Sequence, residues 1–259
     1  MNNINNTLFP VKEVPAVFNT EPTPTYKWNN DTGYKFIVRE DTNEVLSCMT
    51  NKYQLVSNNE VFNSTSAVLK DVGAELSNAE IFGNGARTMW EWKLPNIKIE
   101  VRENDFVNPQ IIIKNSYDGS TEVSAIAGAY RLICTNGMII GTTIGKSGIR
   151  HNIWTDMDNF YGIVQEMIHM AEQVFSTDFP ILIDTPVKQN HIADLIEMLP
   201  MQTMDGLIGY MKSHPIKNYW DLLNAGTWIT THQMDSRKEA THVLSKKLYP
   251  KIRSMAISN

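Results

Sequence analysis

Between Arg87 and Lys114 the chain alternates apolar and polar residues, and that alternation limits the folds open to it. In Arg87-Thr88-Met89-Trp90-Glu91-Trp92-Lys93-Leu94, Met89, Glu91 and Lys93 fall on one side, and Thr88, Trp90, Trp92 and Leu94 on the other. Ile97 to Arg102 repeats the pattern with Lys98, Glu100 and Arg102 outward, and Phe106 to Lys114 follows an Asn104-Asp105 turn. Successive side chains of a strand point to opposite faces, so short alternating runs divided by turn residues build an antiparallel sheet with a buried face.

The neighbouring segments extend this reading. Tyr34 to Arg39 and Glu44 to Met49 form the arms of a hairpin around Glu40-Asp41-Thr42-Asn43. Ser57, Asn58 or Asn59 caps a helix from Glu60 to Val72, and Gly73 stops it. Ala74 to Phe82 is a strand leading into the turn Gly83-Asn84-Gly85. Beyond residue 153 the spacing becomes helical: Thr155 to Phe175, closed by Phe179 and Pro180; Lys188 to Leu199; Met201 to Lys212; a helix opening at Trp220; and Lys238 to Lys247, ending before Pro250. The expected fold class is α+β, an antiparallel β-sheet with one packed helix in the N-terminal half and a helical C-terminal half. Residues 1–30, with Pro10, Pro15, Pro22 and Pro24, form an extended N-terminal arm that packs on its own domain or on a neighbouring subunit. Residues 31–152 form the α+β core, and 153–259 a helical region with a basic C-terminal tail.

Composition removes several functional classes. A net charge of −5 gives no overall attraction to nucleic acid or to an anionic membrane, although the stretch from Asp235 onward holds six basic residues against two acids. No apolar run reaches membrane-helix length, and the start lacks a secretory signal. The two cysteines, Cys48 and Cys134, form no metal-binding spacing. These features point to a protein of the reducing host cytoplasm, with no metal and no cofactor expected. The loop Gly141 to Asn152 carries Gly145-Lys146-Ser147, but position 140 is Ile where a phosphate-binding P-loop requires Gly.

Polar groups concentrate around the hairpin Ile111 to Ile140. Asp118 reads either as a general base or magnesium ligand, or as an Asx-turn residue that shapes the hairpin. Cys134 as thiolate with His151 as base, oriented by Asn136 or Asn115, matches a nucleophilic arrangement by residue type; a buried inert cysteine is the other reading. Trp90, Trp92 and Tyr117 suit either a base-stacking platform or a filled core. The cations Lys93, Lys98, Arg102, Lys114, Arg131, Lys146 and Arg150 are candidates for phosphate contact.

Tyr53-Gln54-Leu55-Val56-x-Asn58, Asn115-Ser116-x-Asp118-Gly119-Ser120, Arg131-x-x-Cys134-x-Asn136-Gly137, His151-Asn152 and Asn224-Ala225-x-Thr227 occur in that order. This set resembles the phage/plasmid-like protein family, a domain of unknown function found in phages and plasmids, over about Tyr34 to His232. The chain departs from the family pattern at Tyr117, where the family shows His, and at Asn152, where it shows Thr. The resemblance implies a mobile-element setting and supplies no activity. The leading expectation is a non-enzymatic single-stranded nucleic-acid-binding protein, of strand-annealing type and homo-oligomeric. The alternatives are a counter-defence or assembly protein that binds a host protein, and a hydrolase or nucleic-acid-modifying enzyme using Asp118, Cys134 and His151.

Overall fold

The alternating runs become strands of two antiparallel sheets. A computed structural model describes residues 4–17, 31–121, 123–131, 136–138, 157–234 and 238–259. The first sheet has the order β1 (Val11–Val17), β2 (Asp31–Arg39), β3 (Val45–Thr50). The second follows β4 (Glu75–Phe82), β5 (Arg87–Lys93), β7 (Asp105–Ser116), β8 (Ser124–Arg131) and β9 (Asn136–Met138), with β6 (Ile99–Arg102) also paired to β7. The α+β class stands, with its strands divided between two sheets. Of the described part of the N-terminal arm, Val11–Val17 belongs to the first sheet, and a 3-10 turn at Ile4–Thr7 packs against the core of the second. Pro15 is tolerated in β1 because β1 lies at a sheet edge, where a missing N–H breaks no shared ladder.

Helix α1 (Asn58–Asp71) starts with a complete capping box, in which the Ser57 side chain accepts from Glu60 N and Glu60 accepts from Ser57 N. It ends at Gly73, whose φ of +77° is left-handed and suits a residue without Cβ. The face of β5 carrying Trp90 and Trp92 packs under α1, against Val61, Phe62 and Leu69, with Ile111 and Ile113 of β7 alongside. Phe62 stacks on Trp92 at 5.7 Å between ring centroids. The first sheet closes over the other side of this unit through Phe9, Ile37 and Tyr117.

The helical half comprises α2 (Met157–Asp184), α3 (Gln189–Met198), α4 (Met204–Ser213), α5 (Tyr219–His232) and α6 (Lys238–Ile257). Two expected helix ends are corrected: α2 runs through Pro180, and α6 through Pro250. Both prolines lie on exposed faces, while Phe179, Leu182, Tyr249 and Ile252 on the same turns are buried. Burial of the apolar face holds each helix together, and water reaches the carbonyl that the proline leaves unpaired. The buried carboxylate of Asp178 on α2 accepts from Tyr249 Oη and Arg253 Nε of α6, pinning the two helices together. The halves join along β6 and β7: Ile99, Val101 and Val107 pack into the helical core, and Trp220 Nε1 donates to Asp105 Oδ2 at 3.3 Å.

Candidate functional site

The hairpin motif resolves into backbone chemistry. Asp118 Oδ1 accepts from Ser120 N at 2.9 Å, an Asx turn, and Gly119 takes φ +70°. The second carboxylate oxygen of Asp118 lies 3.6 Å from Arg87 Nε. Ser116 Oγ donates to Thr121 O at 2.6 Å and accepts from Thr121 N at 3.2 Å, closing the turn. The turn reading of Asp118 accounts for these contacts.

The other motif residues form a buried polar network. Asn58 Nδ2 donates to Thr7 O (2.7 Å) and Thr88 Oγ1 (2.9 Å), while Asn58 Oδ1 accepts from Asn115 Nδ2 (2.8 Å). Asn115 Nδ2 also reaches Val56 O at 3.2 Å. Trp90 Nε1 donates to Thr7 Oγ1 at 3.0 Å, and the Asn58 backbone N–H donates to Tyr117 Oη at 2.7 Å. Burial pushes the Tyr117 phenol well above its ordinary range, and that of Tyr53 likewise, with the Asp118 charge adding to the latter. These groups tie the N-terminal segment, α1, β5 and β7 to one another.

The base-stacking expectation for the three aromatics is corrected. Trp90 and Tyr117 are 0% exposed and Trp92 1%, inside the core that α1 and the first sheet cover, so no base can lie on them. The basic residues do not form one surface either. Lys93 and Lys114 are half-buried on the face of β5 and β7 opposite the tryptophans, and burial holds the Lys93 ammonium below its usual range. Lys98 is exposed ahead of β6. Arg131, in β8, pairs in backbone register with Asn136 of β9. Cys134, Lys146, Arg150 and His151 lie outside the described residues. Among the described residues, no group of three or more His, Cys, Asp or Glu side chains is placed to hold a metal ion.

Arg102 leads to a site that the motif reading missed. It lines an open cleft of about 340 Å³ together with Tyr210, Ser213, His214, Lys217, Asp221 and Asn224. The local sequence builds this cleft. Pro215 ends α4, and the His214 backbone N–H donates to Tyr210 O at 2.8 Å as the C-cap. Asn218 caps α5 by accepting from Asp221 N at 2.9 Å, and Asp221 Oδ2 accepts from Lys217 N at 3.0 Å. Asp221 Oδ1 accepts from Arg102 Nη1, also at 3.0 Å. The carboxylate is therefore engaged on both oxygens, one by the Arg102 guanidinium and the other by the Lys217 backbone N–H. A bridge between Pro186 and Asn218, with Val187 N–H on Lys217 O at 3.1 Å, ties the chain ahead of α3 to the backbone at Lys217. Asn224, from the late family motif, is 5% exposed and lines the cleft, its Nδ2 fixed on Trp220 O at 2.7 Å.

Aromatic rings run up to this cleft. Trp228 lies 5.3 Å from His232 and 5.0 Å from Tyr210, and Tyr210 stacks on His214 at 4.4 Å with 12° between planes. Tyr210 is buried and His214 exposed, so the imidazole ends the column at the solvent side. Sequence reading missed His214, Lys217 and Tyr210; the only local signal was the His214-Pro215 helix stop between two apolar helices.

No helix among the described residues is long and apolar enough to cross a membrane. The family model for a domain of unknown function (DUF932) matches residues 45–246, well over half of the chain. Two proteins of Escherichia coli K12, UPF0380 protein YfjQ and UPF0380 protein YafZ, are each 35% identical over 43 residues. Those segments make up 17% of this chain, which therefore spans only 16% of the length of either curated relative. No solved structure matches.

Proposed function

The chain belongs to the family of the domain of unknown function (DUF932), and from that premise we propose that it is a single-stranded nucleic-acid-binding protein of a mobile element, acting in strand annealing or recombination. One observation carries the reading: Arg102 of β6, His214 at the end of α4, and Lys217 ahead of α5 converge on one open cleft. Phosphate contact supplies most of the affinity of such proteins and needs local positive charge, whatever the sign of the whole chain. An acidic protein with a basic cleft holds the strand at that cleft and repels it elsewhere.

A salt series with a labelled oligothymidylate tests this. Two phosphate contacts, from Arg102 and Lys217, give a slope of log K against log salt of about −1.4, and Lys217→Ala reduces its magnitude by about 0.7. Absence of binding near 50 mM salt, or a slope near zero, sinks the proposal.

A protein-binding role has its own supporting observation. Val14, Tyr34 and Val45 stand exposed on the outer face of the three-stranded sheet, with Val45 59% exposed. A second copy or a host protein covering that face would bury them, and mass in solution distinguishes a self-associating chain from a monomer.

A further inference from the structure

Phosphate contact alone needs cations on an open surface, yet this cleft also has an aromatic wall. The column His232, Trp228, Tyr210, His214 has its two inner rings packed among α4 and α5 and an exposed imidazole at each end, of which His214 lines the cleft. Stacking on Tyr210 at 4.4 Å holds the imidazole plane, as do the 2.9 Å approach of Nδ1 to Ser213 Oγ and its 3.2 Å approach to Tyr210 O. A pre-oriented flat ring at a cleft wall is a stacking surface for a base, because every base has a π-face.

The charges lie where a phosphate would follow. Arg102 spends one hydrogen bond on Asp221, which leaves most of the five guanidinium donors for a ligand. Lys217 also lines the cleft, fixed there by its backbone N–H on Asp221 Oδ2 at 3.0 Å. A volume of about 340 Å³ is at the small end of ligand pockets and suits one nucleotide unit, not a folded strand.

We infer that the cleft is a one-nucleotide subsite, with a base stacked on His214 and the 5′-phosphate of the same nucleotide held between Arg102 and Lys217. This rests on the nucleic-acid reading above and makes it narrower: one unit of the strand is read by shape, and its neighbours by charge. The ligand chemistry is that of a nucleoside 5′-phosphate, whether free or as one residue of a strand.

Calorimetric titration of the full chain with thymidine 5′-monophosphate, thymidine and inorganic phosphate tests the assignment, with oligothymidylate as a fourth ligand. The monophosphate binds at least tenfold more tightly than either fragment. His214→Ala weakens it roughly tenfold, His214→Phe restores it to within about threefold because the stack survives, and Lys217→Ala weakens it. Inorganic phosphate binding as tightly as the nucleotide overturns the subsite, as does a His214→Ala variant with unchanged affinity. Oligothymidylate that binds equally well to wild type and His214→Ala removes the subsite and leaves the strand reading standing. Monophosphate binding that depends on His214, with no oligothymidylate binding, keeps the subsite and removes the strand reading.

Discussion

Asn58→Ala tests the claim that the paired segments Tyr53 to Asn58 and Asn115 to Ser120 are a structural keystone. The Asn58 side chain is fully buried and makes three hydrogen bonds of 2.7 to 2.9 Å, to Thr7 O, Thr88 Oγ1 and Asn115 Nδ2. Truncation leaves the Thr7 carbonyl without this donor, removes one partner from the Thr88 hydroxyl, and leaves Asn115 Nδ2 with Val56 O alone. A buried polar group stripped of its partner costs about 1–3 kcal/mol, so the variant loses about 3–5 kcal/mol, short of the full sum because the cavity admits water. The backbone bond from Asn58 N to Tyr117 Oη survives, and alanine is a better helix former at this position, which trims the loss slightly. Urea unfolding followed by tryptophan fluorescence measures it, since Trp90 bonds to Thr7 in the same network. The neighbouring Asn59 is exposed and has only a 3.4 Å contact to Leu8 O, so Asn59→Ala stays within about 0.5 kcal/mol. Asn58 and Asn115 share one hydrogen bond that either truncation breaks, so the double variant with Asn115→Ala falls short of the summed losses by about 1 kcal/mol or more. A loss below about 1 kcal/mol for Asn58→Ala would refute the keystone argument.

Two further outcomes follow from the geometry. Gly85→Ala places a Cβ 2.7 Å from Phe9 Cζ at a φ of +107°, and costs about 2–4 kcal/mol in the same urea assay. Asp41 has its carboxyl held below the ordinary 3.8 by the hydrogen bond from Arg39, so the pair's contribution is complete above that value and fades as pH falls through the lowered one. Asp41→Asn accordingly flattens the acid limb of the stability curve below pH 3.8 and lowers neutral stability by the same small amount, as expected for an exposed pair.

Local chemistry was legible in the sequence, and long-range chemistry was not. The alternation of Thr88, Trp90, Trp92 and Leu94 identified the buried face of β5 because the period of a strand is a local property. A cap among Ser57, Asn58 and Asn59 announced α1, and Gly73 its end, because caps are also local. Whether Trp90 stacks on a base or on the core depends on Thr7, 83 residues away, and on the helix laid over it. Prolines 180 and 250 read as stops because propensity counts the missing N–H and not the buried residues on either side. The division into two sheets escaped detection because strand pairing is decided by partners far along the chain. The cleft escaped for the same reason: Arg102 meets Asp221 across 119 residues, and the Pro186–Asn218 bridge ties the chain ahead of α3 to the backbone at Lys217. Among the described candidate cations, Arg102 lines that cleft.

The nucleic-acid reading and the subsite meet at one place on the molecule, between Tyr210 and Asp221. Photocrosslinking a 4-thiothymidine oligonucleotide to the full chain, with the attachment point read by peptide mass spectrometry, locates the bound base directly. The account predicts attachment within residues 210–221, centred on His214, and its loss on competition with thymidine 5′-monophosphate. Attachment confined to another surface, or none above that of an unrelated acidic protein, would contradict it.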